Sequence, residues 1–362
     1  MEDLQTFRSF KVKSSLKGFY SVSFIDNLQK ILFKKVSNKN AIFIIDKKLK
    51  TLFNDELSYV NNNGKSIFIT CDESHKTIQY SQTIIRKLIK LNVRKNNKII
   101  AIGGGITQDL VAFISSILFR GVDWEFFPTT LLAQCDSCIG SKSSINFDQF
   151  KNLIGTFCPP SNIYIYQGFL ETLSESEIRS GIGEMLHYYF SEKNNLPNEI
   201  SKNFNKILID RSLLTYFINN SLRIKKKIIE IDEFDKEIRH IFNYGHTFGH
   251  AIEAITNYNI PHGHAICIGM NIANYISLSL KMINKKQFDD MYSVLKKNIP
   301  PFKFSKDNLD IYCKALARDK KNKGNKLGCI LTFGPGKLKK IFIEMDSDFK
   351  KLLLNYSLEY GT

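Results

Sequence analysis

The sequence lacks any long apolar run. The longest one, Leu110–Phe119, is interrupted by Ser115 and Ser116, and it falls well short of the roughly 20 residues that a membrane helix needs. We therefore expect no membrane segment and no membrane partner. With 43% hydrophobic and 24% charged residues, the composition excludes disordered, collagen-like and disulfide-scaffold proteins. The length of 362 residues predicts two domains, at about 100–200 residues each.

The seven cysteines do not form an even set and are scattered along the chain, which argues against a disulfide framework. No basic segment followed by an apolar stretch stands near the first residue. The sequence thus predicts reduced thiols and a cytoplasmic location. Cys135 and Cys138 form a lone C-x-x-C pair, which we interpret as small residues packed under a turn rather than as a metal or redox site.

Acidic residues are scarce beside basic ones. The chain has 35 Asp and Glu against 51 Lys and Arg, which gives a formal net charge of +16. This balance favours anionic partners, namely nucleic acid, an acidic membrane surface or phosphorylated small molecules. AT-rich coding explains the lysine excess equally well. The basic runs at residues 225–227 and 319–324 are not interleaved with aromatic residues, so we expect no nucleic-acid partner.

Strands and helices alternate in the first half of the chain. Apolar runs at Ala41–Ile45, Ser66–Thr70 and Lys98–Ile102 predict buried strands, and helical spacing of apolar residues predicts a helix over Thr77–Leu91. Such alternation is typical of a parallel α/β sheet.

The second half has a different sequence pattern, in which apolar residues recur at helical spacing. The pattern predicts helices over residues 174–190, 205–231, 247–257 and 265–282. We therefore predict an α/β domain over residues 1–174 and a mainly α-helical domain over residues 175–362. Ser174 or Ser176 can cap the first helix of the second domain.

A glycine turn, Gly103–Gly105, follows the third predicted strand and opens an apolar helix. Glycine lets a ligand approach the backbone, and a helix N-terminus offers free N–H groups, so the turn suits a pyrophosphate. It is not a G-x-G-x-x-G fingerprint, and a plain tight turn explains it equally well. The hydroxyl, lysine and amide side chains that follow can bind phosphate and sugar groups around one cleft; they are Thr129, Thr130, Lys142, Lys151 and Asn152.

Six of the seven histidines fall between residues 187 and 264. His246 and His250 are four residues apart and share a helix face, and His262 follows a break at Asn259–Pro261. Glu184 lies in an earlier predicted helix. One carboxylate with two or three imidazoles makes a catalytic zinc-type set with a position open for substrate oxygens. The H-x3-H pair alone would more often be structural.

These motifs, in this order and spacing, resemble the 3-dehydroquinate synthase family and the wider family of sugar phosphate cyclases. The resemblance covers about residues 46–324, and its segments are GGGITQD (103–109), RGV (120–122), PTTLLAQCDSCIG (128–140), KNLIG (151–155), SGIGE (180–184), NYGHTFGHAIEA (243–254), HGH (262–264) and DKKNKG (319–324).

The resemblance implies a Rossmann-like, NAD-binding α/β domain and a helical metal-binding domain, with the active site between them. Family enzymes are phosphate-eliminating carbon–oxygen lyases. They convert a phosphorylated seven-carbon sugar acid (DAHP) to the carbocycle 3-dehydroquinate, and they consume and regenerate NAD within one turnover. The implied setting is the cytoplasm and aromatic amino acid biosynthesis (the shikimate pathway), with a specialised pathway as the alternative.

Motif positions also imply the site residues. The metal ligands, for zinc or cobalt, would be Glu184, His246 and His262. The NAD pocket would be framed by Asp46, Asp72, Glu73, Lys76, Gly104, Gly105, Asp109, Thr129, Thr130, Leu132, Asp136, Lys142, Lys151 and Thr172. The substrate would meet Asp136, Lys142, Asn152, His187, Lys225, Arg239, Asn243, His250 as proton relay, and Lys320 or Lys321. Arg120 would reach the neighbouring subunit's site, which implies a homodimer.

The chain departs from the family pattern at three positions. His187 stands where the family has lysine, His264 where it has glutamate in His-Gly-Glu, and Ser141 where it has the second glycine of Gly-Gly-Lys. The departures leave open a sister cyclase that acts on another heptulose phosphate. A glycerol dehydrogenase-like alcohol dehydrogenase is a further alternative, against which the set of Lys142, Asn152, Lys225 and Arg239 argues because it suits a phosphorylated acid.

Overall fold

A computed structural model describes residues 9–148, 150–318, 322–324 and 326–361. The chain forms two compact units. One contains the residues up to Leu173 together with Lys225–Phe234, and the other contains Ser174–Ile224 and the residues from Asp235 onward. The first unit thus includes a short segment that comes from the second half of the sequence.

The first unit is built on strands and five helices of the described residues. Its strands are β1 (Phe10–Ser14), β2 (Gly18–Phe24), β3 (Ala41–Asp46), β4 (Ser66–Ile69), β5 (Lys98–Gly103), β6 (Asp123–Pro128), β7 (Lys142–Phe147), β8 (Phe150–Phe157) and β9 (Asn162–Ile165). Its helices are α1 (Leu28–Val36), α2 (Leu49–Leu52), α3 (Ser58–Asn61), α4 (Ile78–Lys90) and α5 (Gly105–Ile117).

Seven of these strands form one sheet in the order β1-β2-β9-β6-β5-β3-β4. All pairings in it are parallel except that of β1 with β2. The three strands predicted from apolar runs are confirmed as β3, β4 and β5, and so is the parallel sheet. The apolar run Ala41–Ile45 is fully buried, as expected of a strand covered on both faces.

Helix α4 confirms the helix predicted after β4. The Thr77 hydroxyl accepts a hydrogen bond from the Tyr80 N–H and begins the helix, while Ile84 and Leu88 face the core. Strands β7 and β8 form a separate antiparallel hairpin. Cys135 and Cys138 are both buried beside the π-helical turn Ala133–Ser137, and all seven cysteines are free thiols.

The second unit is mainly α-helical. Its helices are α6 (Glu175–Ser191), α7 (Leu196–Lys202), α8 (Phe204–Ile207), α9 (Arg211–Ile229, whose residues from Lys225 belong to the first unit), α10 (His246–Ile255), α11 (His262–Ser279), α12 (Lys285–Leu295), α13 (Lys306–Ala317) and α14 (Ser347–Tyr360). The antiparallel pair β10 (Lys326–Thr332) and β11 (Leu338–Glu344) completes it. Ser174 caps α6 in a capping box with Glu177, which confirms one of the two predicted caps.

Glycines let α6, α10 and α11 approach one another closely. A Cβ atom on Gly183 would overlap the Gly263 carbonyl oxygen, and one on Gly263 would overlap the Ser180 carbonyl oxygen. Similarly, a Cβ on Gly269 would overlap the carbonyl oxygen of Gly245. The close helix contacts place the first turns of α10 and α11 beside the middle of α6. Among the described residues, none of the helices combines the length and apolarity required to cross a membrane.

Candidate active site

A buried carboxylate in the second unit is surrounded by imidazoles from three helices. Glu184 Oε1 lies 3.4 Å from His246 Nε2, and Glu184 Oε2 lies 3.3 Å from His262 Nε2. Glu184 lies in the middle of α6, and the two histidines begin α10 and α11. Carboxylate oxygen with imidazole nitrogen is a donor set that suits zinc or cobalt. The structure therefore brings the predicted ligands His246 and His262 to the two oxygens of Glu184. Donor atoms that lie within 4.8 Å of one another form two sets, Glu184 with His187 and His246, and His246 with His250 and His262.

The electrostatics of this cluster favour a charged carboxylate. Burial alone would raise the pKa of Glu184, but the neighbouring His187 and His246 hold it well below its usual range. Burial would lower the pKa of His262, but its hydrogen bonds with Glu184 and Glu253 raise it to about 10. An anionic carboxylate is the form that ligates a cation, whereas His262 with this raised pKa carries a proton at neutral pH. A cation bound at His262 would have to displace that proton, since metal ligands must be deprotonated.

Glu253 is a residue of this cluster that the sequence analysis missed. Its Oε2 lies 3.2 Å from His262 Nδ1, on the side of the ring opposite Glu184. A carboxylate on the second ring nitrogen fixes the tautomer and plane of a ligating histidine. The signal was present in the sequence, because His246, His250 and Glu253 follow one another at i, i+4 and i+7 on one helix face.

Two further histidines lie beside the cluster. The His250 ring stands 5.4 Å from the His246 ring and 5.7 Å from the His262 ring, between centroids, and its side chain is exposed. His187 is buried, with Nδ1 at 3.5 Å from Glu184 Oε1. His264 has a different environment, because its Nδ1 lies 2.9 Å from the Asn298 carbonyl oxygen.

The other predicted residues of the second unit lie on a 3-10 helix, Ile238–Asn243. Arg239 is buried there, and the Asn243 amide donates to the His240 carbonyl. Lys320 and Lys321 lie outside the described residues.

In the first unit, the glycine turn lies at the carboxyl end of β5. Gly104 is the N-cap of α5 and Gly105 begins the helix, so the free N–H groups of α5 point out of this edge of the sheet. The strand order changes direction between β3 and β5, and such a switch point is where open α/β sheets bind their ligands. Thr129 follows β6 at the same edge, and its N–H donates to the Gly103 carbonyl.

A polar network connects Lys76 with residues of α5 and the β7–β8 hairpin. The buried Lys76 Nζ lies 2.6 Å from Asp109 Oδ2 and donates to Asn152 Oδ1 at 2.7 Å. The Ser144 N–H donates to Asp109 Oδ1 at 2.8 Å. Burial raises the pKa of Asp109, although Lys76 opposes the shift. Asn152 adopts a positive φ of 53°, which turns its amide into this network.

The remaining residues predicted near the dinucleotide take several positions around this edge. Asp46 ends β3, and burial raises its pKa. Asp72 caps the 3-10 helix Glu73–His75, and Glu73 accepts from the Asn146 amide at 2.8 Å and lies 3.7 Å from Lys151 Nζ. Thr130 Oγ1 accepts from the Ala133 N–H, next to Leu132 at the start of the π-helical turn.

Lys225 joins the first unit although it comes from the second half of the sequence. It is buried, and its Nζ donates to both the side chain and the carbonyl of Asp136. The structure therefore brings together two predicted substrate residues that are far apart in sequence. Among the described residues, neither Arg120 nor Thr172 forms a hydrogen bond or an ion pair with Lys225 or Asp136. Lys142 is exposed at the start of β7.

One unit has a glycine turn at the switch point of its sheet, and the other has a carboxylate–imidazole cluster. The first feature suits a dinucleotide and the second suits a metal ion. Together they define a class of enzymes that combine a dinucleotide pocket with a metal centre. Comparison with known families places the chain more narrowly. Residues 66–180 match the N-terminal part of 3-dehydroquinate synthase, and residues 181–322 match its C-terminal part. The chain belongs to the 3-dehydroquinate synthase family.

Relatives in several bacteria support this membership. The 3-dehydroquinate synthase of Clostridium tetani is 34% identical over 328 residues, which cover 88% of this chain and 87% of that protein. The 3-dehydroquinate synthase of Dictyoglomus thermophilum is 36% identical, over 91% of this chain and 92% of that protein.

Solved structures share the fold. A 2-deoxy-scyllo-inosose synthase, crystallised with carbaglucose-6-phosphate, NAD+ and Co2+, superposes with a TM-score of 0.86 at 23% identity, over 98% of this chain and 100% of that one. The 2-epi-5-epi-valiolone synthase of Streptomyces hygroscopicus, with NAD+ and Zn2+ bound, gives a TM-score of 0.77 at 22% identity over 94% of this chain and 97% of that one. A probable glycerol dehydrogenase from Sinorhizobium meliloti gives only 0.62 at 12% identity, over 93% of this chain and 96% of that one.

Proposed function

We propose that this protein is an NAD- and metal-dependent cyclase that converts DAHP to 3-dehydroquinate with release of phosphate, as a carbon–oxygen lyase. The observation that carries the proposal is the Glu184 cluster, whose carboxylate oxygens lie 3.3–3.4 Å from imidazole nitrogens of His246 and His262 in a chain of the 3-dehydroquinate synthase family.

Two bound groups are part of the proposal. Glu184, His246 and His262 would hold a zinc or cobalt ion, and the first unit would hold NAD. When bound, the cation polarises substrate hydroxyl and carbonyl oxygens, and NAD accepts and returns a hydride. Glu253 holds the plane of His262, so the ring presents Nε2 to the cation.

The dinucleotide pocket would lie at the carboxyl edge of the sheet. The free N–H groups of α5 after Gly104 and Gly105 suit the pyrophosphate. Lys76, fixed by Asp109 and Asn152, adds a positive charge that the buried network holds in one place.

Substrate recognition rests on cations and hydrogen-bonding groups placed by motif position. Lys142, Lys225 and Arg239 suit a phosphate and a carboxylate. Lys225 is preoriented by Asp136, so it loses little side-chain freedom when an anion binds. The exposed His250 lies beside His262 and is suited to move a proton at the reacting oxygen.

The proposal includes a homodimer in the cytoplasm that serves aromatic amino acid biosynthesis. The β7–β8 hairpin supports the dimer because it exposes four large apolar side chains: Phe147 is 44% exposed, Phe150 54%, Leu153 43% and Phe157 44%. A patch of this kind on a hairpin is a candidate protein contact. Phe150→Asp should lower the solution mass to that of one chain in light scattering, while Ile89→Asp, also on an exposed position of the first unit, should leave it unchanged.

The direct test is turnover by the purified full-length protein. Incubation with Zn2+ or Co2+, NAD and DAHP should release one phosphate per product and leave no accumulated NADH at steady state. Folded, metal-loaded protein that releases no phosphate would overturn the assignment. Stoichiometric accumulation of NADH would instead identify a net alcohol dehydrogenase.

A sister cyclase is the second candidate, and the buried His187 beside Glu184 favours it. The imidazole replaces the lysine of the family pattern directly beside the Glu184 cluster, so the chemistry of this cluster can differ from that of enzymes that keep the lysine. A panel of heptulose phosphates and hexose 6-phosphates, each followed by phosphate release and product mass, separates the two candidates.

A further inference from the structure

His187 lies on the buried side of the Glu184 cluster, one helical turn after Glu184 on α6. Its Nδ1 is 3.5 Å from Glu184 Oε1, and its ring centroid is 5.0 Å from that of His246. Ligand atoms of Glu184, His187 and His246 all lie within 4.8 Å of one another, as do those of His246, His250 and His262. We propose that His187 is a further protein ligand of the metal ion, so that this chain binds the ion with one carboxylate and three imidazoles.

The distances support a shared ion. Donor atoms bound to one tetrahedral cation at about 2.0–2.1 Å lie about 3.3–3.4 Å apart. His246 Nε2 and His187 Nδ1 lie 3.4 and 3.5 Å from Glu184 Oε1, and His262 Nε2 lies 3.3 Å from Glu184 Oε2. His187 therefore approaches the carboxylate at nearly the same distance as the two ligands assigned by motif.

Burial distinguishes a metal ligand from a substrate contact at this position. The His187 side chain is only 1% exposed, whereas that of His262 is 30% exposed. The rings of Tyr188 and Phe242 flank His187 at centroid distances of 3.9 and 6.0 Å. A side chain enclosed in this way can reach an ion at Glu184 but is poorly placed to meet a ligand that enters from solvent.

The arrangement gives the cluster an inner and an outer side. Glu184 and His187 lie on the buried side, and His250 and His262 lie on the more exposed side. With His187 as the inner ligand, substrate oxygens would have to reach the ion from the outer side, where His250 and His262 lie. His187 would thus hold the ion when no substrate is bound.

The inference rests on the proposed metal dependence, so the experiment measures metal binding directly. Full-length wild-type protein, His187→Gln and His187→Ala are stripped with a chelator and titrated with Zn2+ against a chromophoric competitor. Loss of a partner that supports a ligand lowers metal affinity about 10–100-fold. We expect the loss of a ligand itself to lower the Zn2+ affinity at least as much. The visible absorption of bound Co2+ should also change. His240→Gln is the matched control, because His240 lies in the same unit and pairs with Asp235.

Melting of the metal-free proteins checks that each variant is folded, and two variants of different size keep the test decisive. Weaker Zn2+ binding and an altered Co2+ spectrum in both variants would support the inference. Unchanged affinity and spectrum in a folded variant would overturn it, and would leave the proposed function standing. If wild-type protein itself bound no Zn2+ or Co2+, that result would contradict both the proposed metal dependence of the enzyme and the inference about His187.

Discussion

Lys225 Nζ lies 2.8 Å from Asp136 Oδ1 and 2.7 Å from the Asp136 carbonyl oxygen, across 89 residues of sequence. The lysine is the first of the basic run at residues 225–227. In the structure it is 5% exposed, and it anchors the α9 end of the segment Lys225–Phe234 to the first unit. The same segment is fastened again by Glu233, which accepts from the Ser14 hydroxyl and the Ser15 N–H.

Lys225→Met should destabilise the protein, because the half-buried Asp136 carboxylate loses its cation. Breaking a buried ion pair costs on the order of 3 kcal/mol, measured as the change in free energy of unfolding in urea. Lys206→Met is the control, since the exposed Lys206 pairs with Asp210 and a surface pair of this kind contributes about 0.5 kcal/mol. Equal losses for the two variants would contradict the buried role of Lys225.

Gly183→Ala should disturb the Glu184 cluster without touching a ligand. The added Cβ overlaps the Gly263 carbonyl oxygen, so α6 and α11 must move apart, and overpacking of this kind costs about 1–3 kcal/mol. We expect a lower melting temperature together with reduced Zn2+ content after dialysis. Gly64→Ala adds a Cβ into open space and should leave both measurements unchanged. Full Zn2+ content in Gly183→Ala would show that the helix contact does not set the ligand geometry.

Glu253→Gln should weaken metal binding although Glu253 is not a ligand in the proposed set. Its carboxylate lies 3.2 Å from His262 Nδ1, and loss of such a partner typically costs about 10–100-fold in metal affinity. Competition titration with a chelator measures the change. Glu344→Gln, on an exposed pair with Lys326, should keep the wild-type affinity. A Glu253→Gln protein that binds Zn2+ as tightly as wild type would exclude the orienting role.

Asp109→Asn should weaken NAD binding through Lys76. The aspartate holds Lys76 Nζ at 2.6 Å, and a hydrogen bond to a charged group contributes about 1.5–3 kcal/mol. We therefore expect the dissociation constant of NAD to rise about 10-fold, since each 1.4 kcal/mol corresponds to that factor. Calorimetric titration measures it. Zn2+ content provides the internal control and should stay at the wild-type value, because the proposed ligands lie in the other unit. An unchanged NAD affinity would restrict the Asp109–Lys76 pair to a structural role.

The local pattern of apolar residues was enough to predict the central strands of the sheet and helix α4. The run Ala41–Ile45 is continuous and apolar because β3 is covered on both faces, and the helical spacing after Thr77 gave α4. Strands β1, β2, β6 and β9 were not predicted. Each includes polar or aromatic positions, such as Ser21 and Trp124, that obscure a simple apolar run, and their places in the sheet depend on long-range pairing.

For the candidate site, the sequence predicted which side chains share one helix face. It did not predict which residues from different elements lie close together. The i, i+4 relation of His246 and His250 placed both rings on one face, and the structure puts the His246 ring beside both His250 and Glu184. No sequence period reveals that His187 and His246 rings lie 5.0 Å apart or that Lys225 meets Asp136, because these contacts depend on how the helices pack.

The segment Lys225–Phe234 also bears on how the chain is made. The strands of the first unit precede the helices of the second unit in the sequence, but the first unit lacks the partners of Asp136 and of the Ser14–Ser15 turn until Glu233 has been synthesised. Nascent chains that end near Leu173 should therefore fold incompletely and need protection from aggregation. Translation through α6–α9 must come before the α/β unit is finished, which couples the maturation of the two halves during synthesis.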